Sequence, residues 1–224
     1  NYIEKIEQTD HLNMVGQTSN TKYLQGKFFE LAAMLTSIPA DKPTQPEQPS
    51  MPFVDVSEGA YYYDSVLWGY TNGIVAGYDS THFAPDMSCT RAQVVTFLYR
   101  AAGSPEVSKT QTKFTDVAAN SYYEKAVTWA LEKGIVAGVS DTEFAPEDTV
   151  TRGQFVTFLW RYHDCPAASG NNPFTDVPEG EYYSQAVLWA AENGIAAGTG
   201  NGMFEPFAPC TRAQVISFIY RDRA

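Results

Sequence analysis

Three cysteines in 224 residues are too few, and the wrong parity, for a disulfide framework. Cys89 and Cys210 fall at one repeat position that Val150 fills in another copy, so they read as small buried hydrophobes rather than ligands or a bridge. They leave the cellular compartment undecided. His11, His82 and His163 never recur at equivalent positions and share no metal-ligand spacing, so no metal and no cofactor is expected. Positive charge is also short: 15 Lys and Arg against 26 Asp and Glu, a net charge of −11. Such a field repels nucleic acid and anionic membrane, so neither is expected as a partner, and an anionic ligand must be gripped by local cations at short range. No apolar run is long enough to span a bilayer and no signal peptide opens the chain. The first residue is Asn, which reads as a mature or trimmed piece of a longer protein. No nucleophile–base–acid pattern stands out and no glycine-rich phosphate loop follows a strand. No catalytic residue is assigned.

What the sequence does have, it has three times. Cys89–Arg100, Val150–Arg161 and Cys210–Arg221 each carry Thr, Arg, a small residue and Gln ahead of an apolar run. Thr followed three residues later by Gln is a capping box, and the residue before the Thr can staple to the fourth helical residue. The run that follows is apolar nearly all round, as Val94, Val95, Phe97, Leu98 and Tyr99 show, which predicts a buried helix. Asp55, Asp116 and Asp176 lie 61 and 60 residues apart; so do Trp68, Trp129 and Trp189, and Arg91, Arg152 and Arg212. That is a true internal repeat. Each copy runs Phe-x-Asp-Val, a first helix from a Tyr-Tyr pair to a stopping glycine (Gly73, Gly134, Gly194), an apolar stretch, a Phe-x-Pro turn, then the capped second helix. The first helix has two apolar faces, one through Tyr62 and Val66 and one through Tyr61 and Trp68, so one of them is left for a neighbouring repeat or a groove. A unit this small cannot bury both helices alone, and three are expected to close one all-α core.

Ahead of the repeats, Leu24, Phe28, Leu31 and Leu35 predict an amphipathic helix that Pro39 ends. Pro43, Pro46 and Pro49 recur every third residue in a stiff spacer. The expected organisation is an N-terminal helical segment over 1–38 (the tail of an upstream region), a Pro-rich linker over 39–52, and repeats over 53–107, 108–168 and 169–224.

The order Phe-x-Asp-Val, Tyr-Tyr, Trp, Gly-Ile, Gly, Phe-x-Pro, Thr-Arg-Ala-Gln closely resembles the S-layer homology (SLH) domain, over residues 53–224. The resemblance implies a pseudo-threefold spindle of three SLH repeats around a central three-helix bundle. It also implies binding of an acidic, often pyruvylated, secondary cell-wall polysaccharide in inter-repeat grooves, at the bacterial cell surface or wall. The Arg of the family's Thr-Arg-Ala-Glu motif contributes to the anionic ligand site, which carries over to Arg91, Arg152 and Arg212. This chain departs from the motif with Gln at 93, 154 and 214, and with Gly153 in place of Ala92 and Ala213. Read as residues, Arg beside a helix N-terminus is unfavourable by about 0.3–1 kcal/mol, so a partner is needed. That partner is either a carboxylate such as Asp55, Asp116 or Asp176, or an anionic ligand gripped by the Arg fork together with the free N–H groups of the helix end; the resemblance favours the ligand. Trp68, Trp129 and Trp189, with Tyr62, Tyr123 and Tyr183, are either core or sugar-stacking walls. Asp55, Asp116 and Asp176 read as turn caps. The expected function is therefore non-catalytic anchoring to the wall. The rivals are the anchoring end of a secreted hydrolase whose catalytic domain lies upstream, and a peptide-binding module using the same grooves.

Overall fold

The computed structural model describes residues 50–108 and 112–223. The N-terminal segment 1–38 and residues 39–49 of the expected linker lie outside the described residues. Those described contain α1 (Tyr63–Thr71), α2 (Arg91–Ala101), α3 (Glu124–Glu132), α4 (Arg152–Tyr162), α5 (Ser184–Glu192) and α6 (Arg212–Asp222). No strand occurs among them, only isolated bridges, so the fold is all-α.

The second helix of each repeat begins as its sequence dictates. The Thr90 hydroxyl accepts from the Gln93 N–H at 3.3 Å while Gln93 Oε1 accepts from the Thr90 N–H at 3.1 Å, and Thr151/Gln154 and Thr211/Gln214 repeat the box. Gln thus performs the capping that Glu performs in the family motif. All three helices are buried on most sides. The first helices start one residue after the Tyr-Tyr pair, with Tyr62, Tyr123 and Tyr183 at the cap position and no side-chain cap. They end at Gly73, Gly134 and Gly194, whose φ of 68°, 70° and 67° only glycine adopts freely.

Each repeat is closed internally by its aspartate. Asp55 accepts from the Phe83 and Ala84 N–H groups, both at 2.8 Å; Asp116 and Asp176 do the same for Phe144/Ala145 and Phe204/Glu205. The carboxylate caps a turn, but one 28 residues downstream. It holds Ala84, Ala145 and Glu205 at positive φ, where a side chain is strained. The phenylalanine two residues before the aspartate packs on the phenylalanine of that turn, with ring centroids 5.6, 5.7 and 5.3 Å apart in the three copies.

Between repeats the packing is cyclic. α2 packs on α3, α4 on α5, and α6 returns to α1, so each second helix pairs with the first helix of the next repeat. This is where the second apolar face of the first helix goes. At the centre, the Cys89 N–H donates to Cys210 O, Cys210 to Val150 O and Val150 to Cys89 O, at 2.9, 2.8 and 3.0 Å. Three backbone bonds thus form a ring around a pseudo-threefold axis. The first amides of each second helix also donate across the seam, Arg91 to Asp148 O and Ala92 to Pro146 O, with Arg152/Gly153 and Arg212/Ala213 equivalent.

Candidate ligand-binding seams

Arg91, Arg152 and Arg212 stand at the first position of the second helices and point into the next repeat. Arg91 Nε donates to Phe144 O at 2.8 Å and Nη2 to Ala137 O at 2.9 Å; Arg152 uses Phe204 O and Ala197 O, and Arg212 uses Phe83 O and Ala76 O. Each guanidinium also lies 4.5–4.6 Å over the ring of the residue whose carbonyl it binds. The three residues are 7, 3 and 4 % exposed. Burial pulls the Arg91 pKa below its ordinary value, opposed by Asp148 and Asp116. The partners are therefore neighbouring carbonyls. Among the described residues no ion pair joins these arginines to Asp55, Asp116 or Asp176, which are occupied with turn amides. Among the described residues Nη1 of each arginine finds no hydrogen-bond partner, and the sealed unpartnered polar atoms are the hydroxyls of Ser121 and Ser217.

The expectation that helix-end N–H groups would serve an anion is corrected here. The first two amides are bonded to the adjoining repeat, the third to the Thr hydroxyl and the fourth to the Thr carbonyl. Donors that close the repeat array are not free for a ligand.

The other candidates divide between the two ends of the second helices. Trp129 lies between Tyr99 and Tyr162, Trp68 beside Tyr220, and Trp189 against His163, all at the carboxyl end. An eleven-residue helix is about 16 Å long, so arginine and tryptophan do not meet in one site. Trp129 and Trp189 are 2 and 7 % exposed, while Trp68 is half-buried. Tyr123 and Tyr183 are buried and Tyr62 half-buried. Tyr183 presses against Gly153: a Cβ there would meet Pro206 O at 3.0 Å and Tyr183 Cγ at 3.3 Å. The missing methyl makes room for this contact and opens no access to a ligand.

Two further series reach the seams, one from the Tyr61 face that the sequence offers to a groove and one from the last turn of the second helices. The first tyrosine of each pair, Tyr61, Tyr122 and Tyr182, is 62, 60 and 52 % exposed. The last-turn arginines Arg100, Arg161 and Arg221 are half-buried and reach Ile74 O, Ile135 O and Ile195 O through Nη1, each at 3.4 Å. Burial raises the pKa of Tyr61, Tyr122 and Tyr182, opposed by Arg152 and Arg221 at Tyr61, by Arg100 at Tyr122 and by Arg161 at Tyr182, so the two series share the seams. Both recur at the 61- and 60-residue spacing, which was the signal available in the sequence. Each seam thus offers an exposed aromatic face near a half-exposed cation. Among the described residues no cluster of His, Cys, Asp and Glu could hold a metal, and no helix is long and apolar enough to cross a membrane.

The sequence is similar to a cell surface protein of Thermoanaerobacter kivui (36 % identity over 115 residues, 49 % of this chain and 15 % of the relative). It is also similar to an endoglucanase of Bacillus sp. (strain KSM-635), at 32 % over 126 residues (56 % of this chain and 13 % of the relative). A surface layer protein of Brevibacillus choshinensis matches at 31 % over 139 residues (61 % of this chain and 12 % of the relative). These matches span less than a sixth of each of these relatives. The S-layer homology domain model matches residues 52–95, 113–156 and 173–216, the three units whose helices, turns and seams are described above, and with more than half of the sequence so matched the chain belongs to the S-layer homology domain family.

Proposed function

We propose that this chain is a non-catalytic module that anchors a protein to the bacterial cell wall by binding an acidic, pyruvylated secondary wall polysaccharide in its inter-repeat seams. The observation that carries the reading is the threefold recurrence of an exposed tyrosine within electrostatic reach of a half-buried arginine, Tyr122 of Arg100, Tyr182 of Arg161 and Tyr61 of Arg221. In a chain of net charge −11, an anion is held only where such local cations cluster. The tyrosines supply faces for the C–H side of a sugar, and Trp68, Trp129 and Trp189 back the seams from the other end. A shared segment in relatives named as surface proteins and as an endoglucanase also fits a carried module better than a catalytic domain.

The test is co-sedimentation with purified walls. Intact walls should pellet the protein; walls stripped of acidic polymer should not; soluble acidic polymer should compete. Because Arg91, Arg152 and Arg212 hold the seams together, replacing them confounds folding with binding. Combined Arg100→Gln, Arg161→Gln and Arg221→Gln removes only three 3.4 Å contacts and is expected to reduce pelleting at least tenfold with an unchanged circular dichroism spectrum. Equal pelleting with stripped walls would refute the reading.

A further inference from the structure

At the end where α2, α4 and α6 finish, the Trp of each first helix lies near the last turn of its own repeat's second helix, and the three clefts there are filled differently. Trp129, Trp189 and Trp68 take equivalent places, and Arg161, Arg221 and Arg100 reach equivalent isoleucine carbonyls. The residue after each arginine differs: Tyr162, Asp222 or Ala101. Tyr162 lays its ring 5.8 Å from that of Trp129, which is 2 % exposed. Beside Ala101 a cavity of about 220 Å³ remains, edged by Trp68, and Arg223 covers that ring from 4.8 Å. Beside Asp222, whose carboxylate oxygens lie 2.8 and 3.0 Å from His163 Nε2, a cavity of about 360 Å³ remains next to Trp189. Its other walls are Pro166, Asn193, Ile195 and Arg221.

We infer that this cavity, which shares Arg221 with the Tyr61 seam, is a subsite for a neutral sugar ring. Its volume falls in the range of small-molecule sites, which begins at about 300 Å³. Its lining carries one cation, Arg221, and one anion, Asp222, so neither a carboxylate nor an ammonium is favoured. Its free valences are of both kinds. Asn193 spends Nδ2 on Trp189 O and keeps its amide oxygen as acceptor, while Arg221 spends only Nη1 on Ile195 O and keeps donors. Trp189, Ile195 and Pro166 add an apolar side. Alternating C–H and O–H groups around one ring are the chemistry that matches such a wall. The subsite stands at the opposite end of the second helices from Arg91, Arg152 and Arg212. It rests on the wall-polymer reading only for where the sugar comes from.

The test follows the four indole N–H signals of the full ¹⁵N-labelled chain, assigned with Trp→Phe variants, during titration with methyl glycosides of glucose, galactose and N-acetylglucosamine. Glucuronate and glucosamine serve as charged controls. At least one neutral glycoside should shift the Trp189 signal saturably, several-fold more than either charged sugar, while Trp129 stays still. Asp222→Tyr, which fills the cavity as Tyr162 fills its counterpart, should abolish the response with the other signals unmoved. Asn193→Leu serves the same purpose should D222Y melt early. An unresponsive Trp189, an equal response to the charged sugars, or an undiminished response in the filled variant overturns the inference. Wall pelleting of D222Y separates the two readings: a lost Trp189 shift with retained pelleting assigns the subsite without touching the wall-polymer reading. A Trp189 shift in a wild-type chain that fails to pellet sinks the wall-polymer reading alone.

Discussion

A desolvated guanidinium that bridges two carbonyls of the next repeat ties stability to one side chain. Arg152→Ala removes two charge-assisted bonds, each worth about 1.5–3 kcal/mol, and leaves Phe204 O and Ala197 O unpaired. Allowing for relaxation, a loss of about 2–4 kcal/mol is expected in urea denaturation. Arg152→Lys should recover little of it, because an ammonium cannot fork between two carbonyls. The thiols give a second check at this scale. Cys89 and Cys210 are fully buried and Cys165 is exposed. Burial pushes the Cys89 thiol up to about 12 and raises Cys210 as well. A thiol-reactive disulfide reagent at pH 8 should therefore titrate one cysteine in the native protein and three after unfolding; fast reaction of more than one would contradict the packing. Ser217 has a sealed hydroxyl without a partner, whereas its counterparts Thr96 and Thr157 donate to Ala92 O and Gly153 O. A buried unsatisfied hydroxyl costs about 1–3 kcal/mol, so Ser217→Ala should leave the melting temperature unchanged or raise it.

Among the elements, the thirteen-residue stretch from Gly77 to Thr90, and likewise from Gly138 to Thr151 and Gly198 to Thr211, is ordered because an aspartate from the start of the repeat reaches across to hold it. Asp116→Ala frees two buried amides and is expected to cost about 1.5–3 kcal/mol, read as a lower midpoint in the same urea titration. Asp116→Asn should recover part of that, since the amide oxygen still accepts. Much of this level was legible beforehand. The capping boxes, the glycine stops and the buried second helices follow from local chemistry that three or four residues specify. The arginine partners were not legible, because a carbonyl has no side-chain signature and Ala137 and Phe144 lie about fifty residues from Arg91. Nor could periodicity choose which tyrosine of a pair faces water. That choice depends on where the preceding repeat's second helix lies, which puts Tyr183 against Gly153 and leaves Tyr182 outside.

For the whole molecule, the exchange of partners means that no repeat contains its own helix pair. α1 packs on α6, the last of the described helices, with Gly69 against Ile216, so removing either end strips the other. Residues 53–168 alone should lack cooperative unfolding and bind a hydrophobic dye, although they contain two entire repeats by sequence. A sharp thermal transition in that fragment would disprove the interdependence. That three short units share one core was readable from their size and amphipathicity. That they do so around a pseudo-threefold axis was expected from the family resemblance, because sequence similarity among copies is by itself the same for an open stack and a closed one.

The hydrogen-bonded circle through Cys89, Val150 and Cys210 fixes arithmetic as well as packing. An open solenoid accepts another copy at either tip, but here both tips are spent on each other. One more duplicated unit would have to break the circle or dangle beside it. Growth by duplication is therefore expected in multiples of three, each trio an independent bead on the chain.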